Sequence, residues 1–582
     1  MSVMRVRRYQ PAWRPPLGAS RGLVAVLAVA VAAAAGVGCG SNNAAHECRT
    51  DVECGGSAAC VMSTCLPRAS DRVFAVELSP ASGSSSAPTE LASVSFGADP
   101  VPLAAAARVL AQGSVTDSEG NAYASTAHIV ASIPSLLPGR DPAQLETDMV
   151  DFGFNLGLST SQLGVTAMLW LRPNAPATSQ PPVPFLVPLG SLATDPRFEL
   201  VFPKTEALSV LRGTLIGPLG AAMSGYVARA LVGSQVVSSS ATTDAAGAFQ
   251  ISIAPGAVPA SAAGMVTVSF DSADATMNVP RLISQPIAVQ NGAGNAAAAA
   301  PRMFQMPAFV TAAPLRFSVA ASDDPTTKLS AMTVRFHTEI AGLSGSVAIY
   351  EREAKTDVNG ELEVPLIPGN TAAPRLYQVV VMPAPDSKYA ARCVTQLAIT
   401  LVGNDLQPQY SQVLSLDRKV ALTGTVSGGD GVGAAGVAVT ATQAAVDPAC
   451  AQAMLAAPAA ATTDRNGRYT LSVAAGTYRI DVDPAAGAPL PRMTEDGDAA
   501  VSVAGDTVHD IALAMGQVVD GVVTAGGVAL AGAAVKLSDL VCPTADACAP
   551  TAPTPPPPPI LRARGITDAA GSVRMVVPAS LP

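Results

Sequence analysis

The sequence predicts an all-β chain of tandem sandwiches, on three observations. Charged residues make up only 14% and aromatics 4%, while Gly and Pro number 49 each. That composition suits short strands and turns better than long, salt-bridged helices. Residues 462–484, TTDRNGRYTLSVAAGTYRIDVDP, read as turn, strand, turn and strand. Weaker copies of this block recur roughly every one hundred residues, the length of one sandwich and larger than a solenoid repeat. At 582 residues the chain exceeds what a single core usually organises.

The chain opens with an address. Arg5, Arg7, Arg8, Arg14 and Arg21 form a basic region, followed by an uncharged, Ala-rich run over 22–38. The run is short for a spanning helix and reads as a signal-peptide core. Gly36, Val37 and Gly38 precede Cys39, and small residues before a Cys resemble the lipobox of bacterial lipoproteins. Gly36 stands where Leu is commonest in that family. The resemblance implies cleavage before Cys39, acylation of its sulfur and amine, and retention in membrane lipid, for which two acyl chains suffice. Gly40 in place of Asp implies sorting to the outer membrane, with its face left open.

Nine Cys are present. Lipid on Cys39 leaves an even number, as an oxidising compartment favours. Cys48, Cys54, Cys60 and Cys65 crowd one short segment. It resembles the small Cys-rich modules that follow the anchor in lipoproteins of myxobacterial type. A segment this short has no core of its own, so two disulfides are expected to hold it, and three pairings are open. The rival is zinc bound by these Cys and His46, but the spacings lack a C-x-x-C knuckle. Cys542 and Cys548 are expected to close a small loop, which leaves Cys393 and Cys450 as a pair between neighbouring units.

After a short linker, Phe74, Val76 and Leu78 alternate and read as the first strand of unit one. Gly113 to Val115 and 127–133 continue it, and Asp151 to Phe154 is a degenerate turn aligned on Gly153. Unit two opens at Gly213, with its turn at Asp244 and Gly247 and a strand through Phe249, Ile251 and Ile253. Unit three opens near Phe317 without the Gly, and turns at Asp357 and Gly360. Unit four opens at Gly424 and turns at Asp464 and Gly467, the first and fourth positions of a tight turn. Tyr469, Leu471 and Val473 then alternate with polar residues, the period of a half-buried strand. Unit five opens at Gly521 and turns at Asp568 and Gly571, and by comparison with unit four it is expected to lack two or so closing strands. Its loop holds Pro555 to Pro559, an extended polyproline spacer.

Gly-Thr-Val, then Gly-Val-Ala-Val, then Thr-Asp-x-x-Gly-x-Tyr and Gly-Thr-Tyr-Arg-Ile in unit four resemble the carboxypeptidase regulatory-like domain. The resemblance implies seven-stranded, Greek-key, transthyretin-like sandwiches. The expected organisation is a signal peptide at 1–38, anchor and Cys-rich module at 39–70 and a divergent sandwich at 71–205. Carboxypeptidase regulatory-like units follow at 206–310, 311–415 (divergent), 416–515 and 516–582 (incomplete).

No motif for catalysis emerges. His46, His128, His337 and His509 share no H-E-x-x-H spacing, and neither a G-x-S-x-G elbow nor a phosphate-binding Gly-rich loop occurs. Asp323 and Asp324, and the turn at Asp464, offer too few ligands for calcium. The formal charge of -9 argues against nucleic-acid binding. The scarcity of aromatics argues against membrane-spanning β-strands. The expectation is therefore a non-enzymatic envelope lipoprotein without cofactor or metal, presenting a rod of sandwiches to a glycan or an envelope protein. The alternative is the accessory region of a hydrolase of metallopeptidase type whose catalytic part lies elsewhere.

Overall fold

The computed structural model describes residues 48–123, 126–137, 139–174, 180–193, 196–274, 278–289, 301–370, 373–384, 386–400, 411–444, 458–485, 487–539 and 559–579. The expected signal peptide at 1–38 and Cys39 lie outside them. Contacts group residues 46–582 into one compact unit. It is all-β, apart from short 3-10 turns.

The first sandwich shows the plan. A four-stranded sheet orders Val183–Pro188, Thr166–Pro173, Ala127–Ile133 and Ala143–Asp148. It faces a three-stranded sheet of Arg197–Val201, Arg108–Thr116 and Gly153–Ser159. In that smaller sheet the opening strand pairs antiparallel with the strand after the turn and parallel with the closing strand. The same arrangement recurs three times along the chain. Ser209–Ile216 lies between Ala248–Ile253 and Arg302–Gln305, and Ala313–Ala321 between Glu361–Leu366 and Ser411–Leu416. Val420–Ser427 lies beside Arg468–Val473 and parallel to Thr507–Val508 and Ile511–Ala512.

Cross-strand pairs explain why the opening Gly is dispensable in unit three. Gly213 faces Phe249, and a Cβ on Gly213 would lie 2.8 Å from that ring. In the third sandwich the bulk changes sides, with Phe317 opposite Leu362. Leu362, smaller than the Phe249 ring it replaces, is buried beside Phe317, which packs 5.0 Å from the Phe336 ring.

The last sandwich departs from chain order. Gly516–Ala525 pairs antiparallel with Ser572–Pro578, as an opening strand should. Its parallel neighbour is Val101–Ala105, from the other end of the chain. In the facing sheet, Ala534–Ser538 pairs with Leu561–Ile566 on one side and with Arg72–Ser79 on the other, and Thr89–Phe96 continues beyond it. Residues 72–105 thus supply the closing strands that 516–582 were expected to lack. Phe74, Val76, Leu78, Phe96 and Leu103 share one buried core with Val519, Val523, Val535, Leu537, Val573, Met575 and Val577.

The expected start of unit one at residue 71 is corrected accordingly. Only Ala106 and Ala107 separate Val101–Ala105 from the opening strand of the first sandwich. A rod in chain order would hold residues 72–105 and 516–578 at opposite ends, and their pairing in one sandwich excludes that order. The units are not independent beads either. Arg281–Ile283 of the second sandwich pairs with Val347–Lys355 of the third, so one ten-stranded sheet runs through both. The buried side chains of the first three sandwiches form one contiguous cluster, whereas the fourth keeps its own.

The Cys-rich module is a hairpin, Ala58–Val61 with Thr64–Pro67, held by Cys48–Cys60 and Cys54–Cys65. Ala59, Val61 and Leu66 bury themselves against Val518 and Val576 of the last sandwich. Two disulfides and a borrowed apolar surface replace the core that so short a segment cannot build.

Candidate functional site

The repeated turn residues are fully engaged in holding the fold. The Asp464 carboxylate accepts from the N–H groups of Asn466 (2.8 Å) and Arg468 (2.9 Å), and the Gly467 N–H donates to the Asp464 carbonyl at 3.0 Å. Those backbone donors hold the carboxyl below its usual range. Gly467 sits at φ 77°, and a Cβ there would lie 2.4 Å from the Val426 carbonyl oxygen. Asp244 with Gly247, Asp357 with Gly360 and Asp568 with Gly571 repeat the bonds within 0.1 Å.

The Thr that opens the Thr-Asp-x-x-Gly motif is buried in each copy. Thr463 Oγ1 donates to the Ala434 carbonyl at 2.6 Å and accepts from Val437 N–H at 2.9 Å. Thr243, Thr356 and Thr567 bridge equivalent pairs. The degenerate turn of the first sandwich uses Asp151 and Phe152, both at positive φ. Phe152, not Gly153, therefore takes the left-handed position, since its carbonyl accepts from Val115 N–H as that of Gly467 does from Val426.

Cysteine positions divide in two. In the module, the Sγ atoms of Cys48, Cys54 and Cys65 lie within 4.8 Å of one another. All three are in disulfides, which leaves no thiolate for zinc. Cys393 is disulfide-bonded. Cys39, Cys450, Cys542 and Cys548 lie outside the described residues, as do His46 and Pro555 to Pro558.

Each described His stands beside a carboxylate. His128 Nδ1 lies 2.9 Å from Asp148, His337 Nδ1 2.8 Å from Glu351, and His509 Nε2 2.7 Å from Glu495. The Glu351 hydrogen bond raises the His337 pKa above its ordinary value. Among the described residues these pairs gather no third ligand for a metal.

Two constellations lie outside the turns. One is a four-charge cluster where the module meets the last sandwich. Arg574 donates to Asp51 at 2.6 Å and 2.8 Å and to Asp520 at 2.8 Å, and Arg68 donates to Asp51 at 2.6 Å and to Asp520. Arg574 also donates to the Cys60 carbonyl at 2.9 Å. The Arg574 hydrogen bonds are the chief cause that pulls the Asp51 pKa down to about 2. Asp51 and Arg574 are 523 residues apart, so no spacing in the sequence could signal them.

The other constellation is a pair of clefts on the first sandwich. A cavity of about 830 Å³ opens along its smaller sheet, lined by Gln112, Asp148, Phe154, Arg197 and Glu199 among others. A groove of about 720 Å³ separates its larger sheet from residues 234–240 of the second sandwich and includes Trp170. Both fall in the size range of small-molecule sites, about 300–1,000 Å³.

No protein-family model matches this chain, and no curated protein does. Solved structures with which it shares local similarity include the Bacillus anthracis TIE protein, at 12% identity over 72% of this chain and 73% of that one, with a TM-score of 0.15. A streptococcal ancillary pilin aligns at 9% identity over 53% of this chain and 99% of its own, with a TM-score of 0.18. GBS52, a minor pilin of Streptococcus agalactiae, aligns at 13% over 34% and 96%, with a TM-score of 0.22. Superpositions this loose carry nothing about function.

Proposed function

We propose that this protein is a non-catalytic lipoprotein of the cell envelope, retained by acylated Cys39, whose sandwiches present binding surfaces to a glycan or an envelope protein. The observation that carries this reading is the inward use of the repeat. The Thr, Asp and Gly of each turn are bonded to their own sandwich, so they maintain a scaffold and leave recognition to surfaces that differ between units. The clefts of the first sandwich are two such surfaces. The basic, Ala-rich leader ending at Cys39 supports export and lipid attachment to the outer membrane. An acidic chain of charge -9 supports protein or sugar partners over nucleic acid.

Palmitate labelling of the wild type and of Cys39→Ala, with and without globomycin, tests the anchor. Label on the wild type alone, and precursor accumulation under globomycin, is the expected result. An unlabelled wild type released into the medium would overturn it.

A further inference from the structure

The groove between the first and second sandwiches has a composition of its own. Alternation along the larger sheet turns Ser132, Gln144, Met168, Trp170 and Arg172 to its outer side, away from the core residues Ile129, Ala131, Ile133, Leu169 and Leu171. Gln235 and the serines around it close the groove from the second sandwich. Trp170 is 8% exposed, and lines the groove with what surface it keeps.

The chemistry of this lining selects a class of ligand. Hydroxyls and carboxamides both donate and accept hydrogen bonds, so they match groups that do the same. Gln144 Nε2 already donates to Ser132 Oγ at 3.0 Å, which fixes its head across the sheet. Trp170 and Met168 add apolar contact beside those polar groups. Among the described lining residues there is no carboxylate, and Arg172 is the one cation, too little charge to select a phosphate or a polyanion. A chain of sugar rings offers both features, hydroxyl edges and C–H faces. The other cleft differs, since Asp148, Glu199 and Arg197 make it charged.

We propose that this groove binds a short neutral oligosaccharide, with Gln144 and Gln235 bonding its hydroxyls from opposite walls and Trp170 against a ring. The proposal rests on the binding reading above and gives it a site and a ligand class. The chain has two Trp, Trp13 and Trp170. Protein beginning at residue 39 therefore carries Trp170 alone, and its emission reports on the groove directly.

The probes are neutral glucan, mannan and N-acetylglucosamine hexasaccharides, with a polygalacturonate hexamer as the anionic comparison. Binding is measured twice, on an array for any surface and by Trp170 emission for the groove. The expected result is saturable change in emission with at least one neutral hexasaccharide. Gln144→Ala and Gln235→Ala should each weaken it about three- to tenfold, while the distant Arg316→Ala leaves it unchanged. Unaltered emission of the unliganded variants shows that they fold. Array binding with silent emission and full affinity in both variants overturns the groove while the wider binding reading stands. A stronger response to the polygalacturonate hexamer overturns the neutral class. A flat array together with silent emission overturns the site, and Cys39 labelling still decides the envelope reading separately.

Discussion

Phe74→Ala probes the return of the chain to its own beginning. Phe74 is fully buried, and its ring meets Phe96 edge-on at 6.0 Å within the core that includes Val519, Val535 and Val577. Truncating a buried Phe costs about 3–5 kcal/mol through lost transfer energy and the cavity left behind. If the last sandwich opens as one cooperative unit, that loss raises its opening equilibrium by about two to four orders of magnitude. Hydrogen exchange with mass spectrometry reads the effect segment by segment. Amides of Gly516–Ala525, Ala534–Ser538 and Ser572–Pro578 should lose protection, although they lie more than four hundred residues away in sequence. Those of Ser209–Ile216 and Ala248–Ile253 should keep theirs. Faster exchange confined to 108–133, with 516–578 unchanged, would show that Phe74 belongs to the first sandwich and refute the reasoning.

Three further outcomes follow from the turns and the charged cluster. Thr463→Val keeps the shape of a buried residue but leaves the Ala434 carbonyl and the Val437 N–H unpaired. Urea unfolding should show a loss of about 1–3 kcal/mol in the fourth sandwich, and a loss near zero would deny the bridge its role. Gly431 and Gly467 share φ 77°, but a Cβ meets nothing within 4 Å at the first and the Val426 oxygen at the second. Gly431→Ala should therefore cost about 1–2 kcal/mol of backbone strain, with Gly467→Ala clearly worse; equal costs would contradict the close approach. Arg574 lowers the Asp51 pKa to about 2, so the cluster supports docking of the module above the ordinary carboxyl value of 3.8. That support is lost as pH falls from there through about 2. Pepsin cleavage within 49–67 should accelerate across this window in the wild type, and Asp51→Asn should flatten the dependence; parallel profiles would exclude Asp51 as the cause.

What was readable in the sequence is the local half of the fold. Asp464, Gly467 and the alternation from Tyr469 to Val473 specify a turn and a strand through backbone sterics and burial alone, and the turn geometry repeats at Asp244, Asp357 and Asp568. Alternation does not name a strand's partner. Phe74, Val76 and Leu78 declared a strand, and proximity in sequence assigned it to the wrong sandwich. The shortage of strands after Ser572–Pro578 was visible, but nothing in the residues themselves pointed to 72–105 as the supply. Bulk exchanged across a pair, as between Phe317 and Leu362, also hides from a motif that asks for Gly. The groove was illegible for the same reason as the Asp51 cluster. Its walls come from two sandwiches, and only Trp170, the sole Trp after residue 38, carried a signal that reasoning on the sequence could have used.

The pairing of Arg72–Ser79 with Ala534–Ser538 is the feature on which the architecture turns, and a cysteine pair tests it most directly. Ser79 stands opposite Ala534 at the end of that antiparallel ladder. Directly opposed residues bring their Cβ atoms about 4.5–5.5 Å apart, close to the span of a disulfide. Ser79→Cys with Ala534→Cys should oxidise within a single chain, and peptide mapping should recover a 79–534 link from monomeric protein. Free thiols at both positions in the folded monomer, with no such link, would contradict the account.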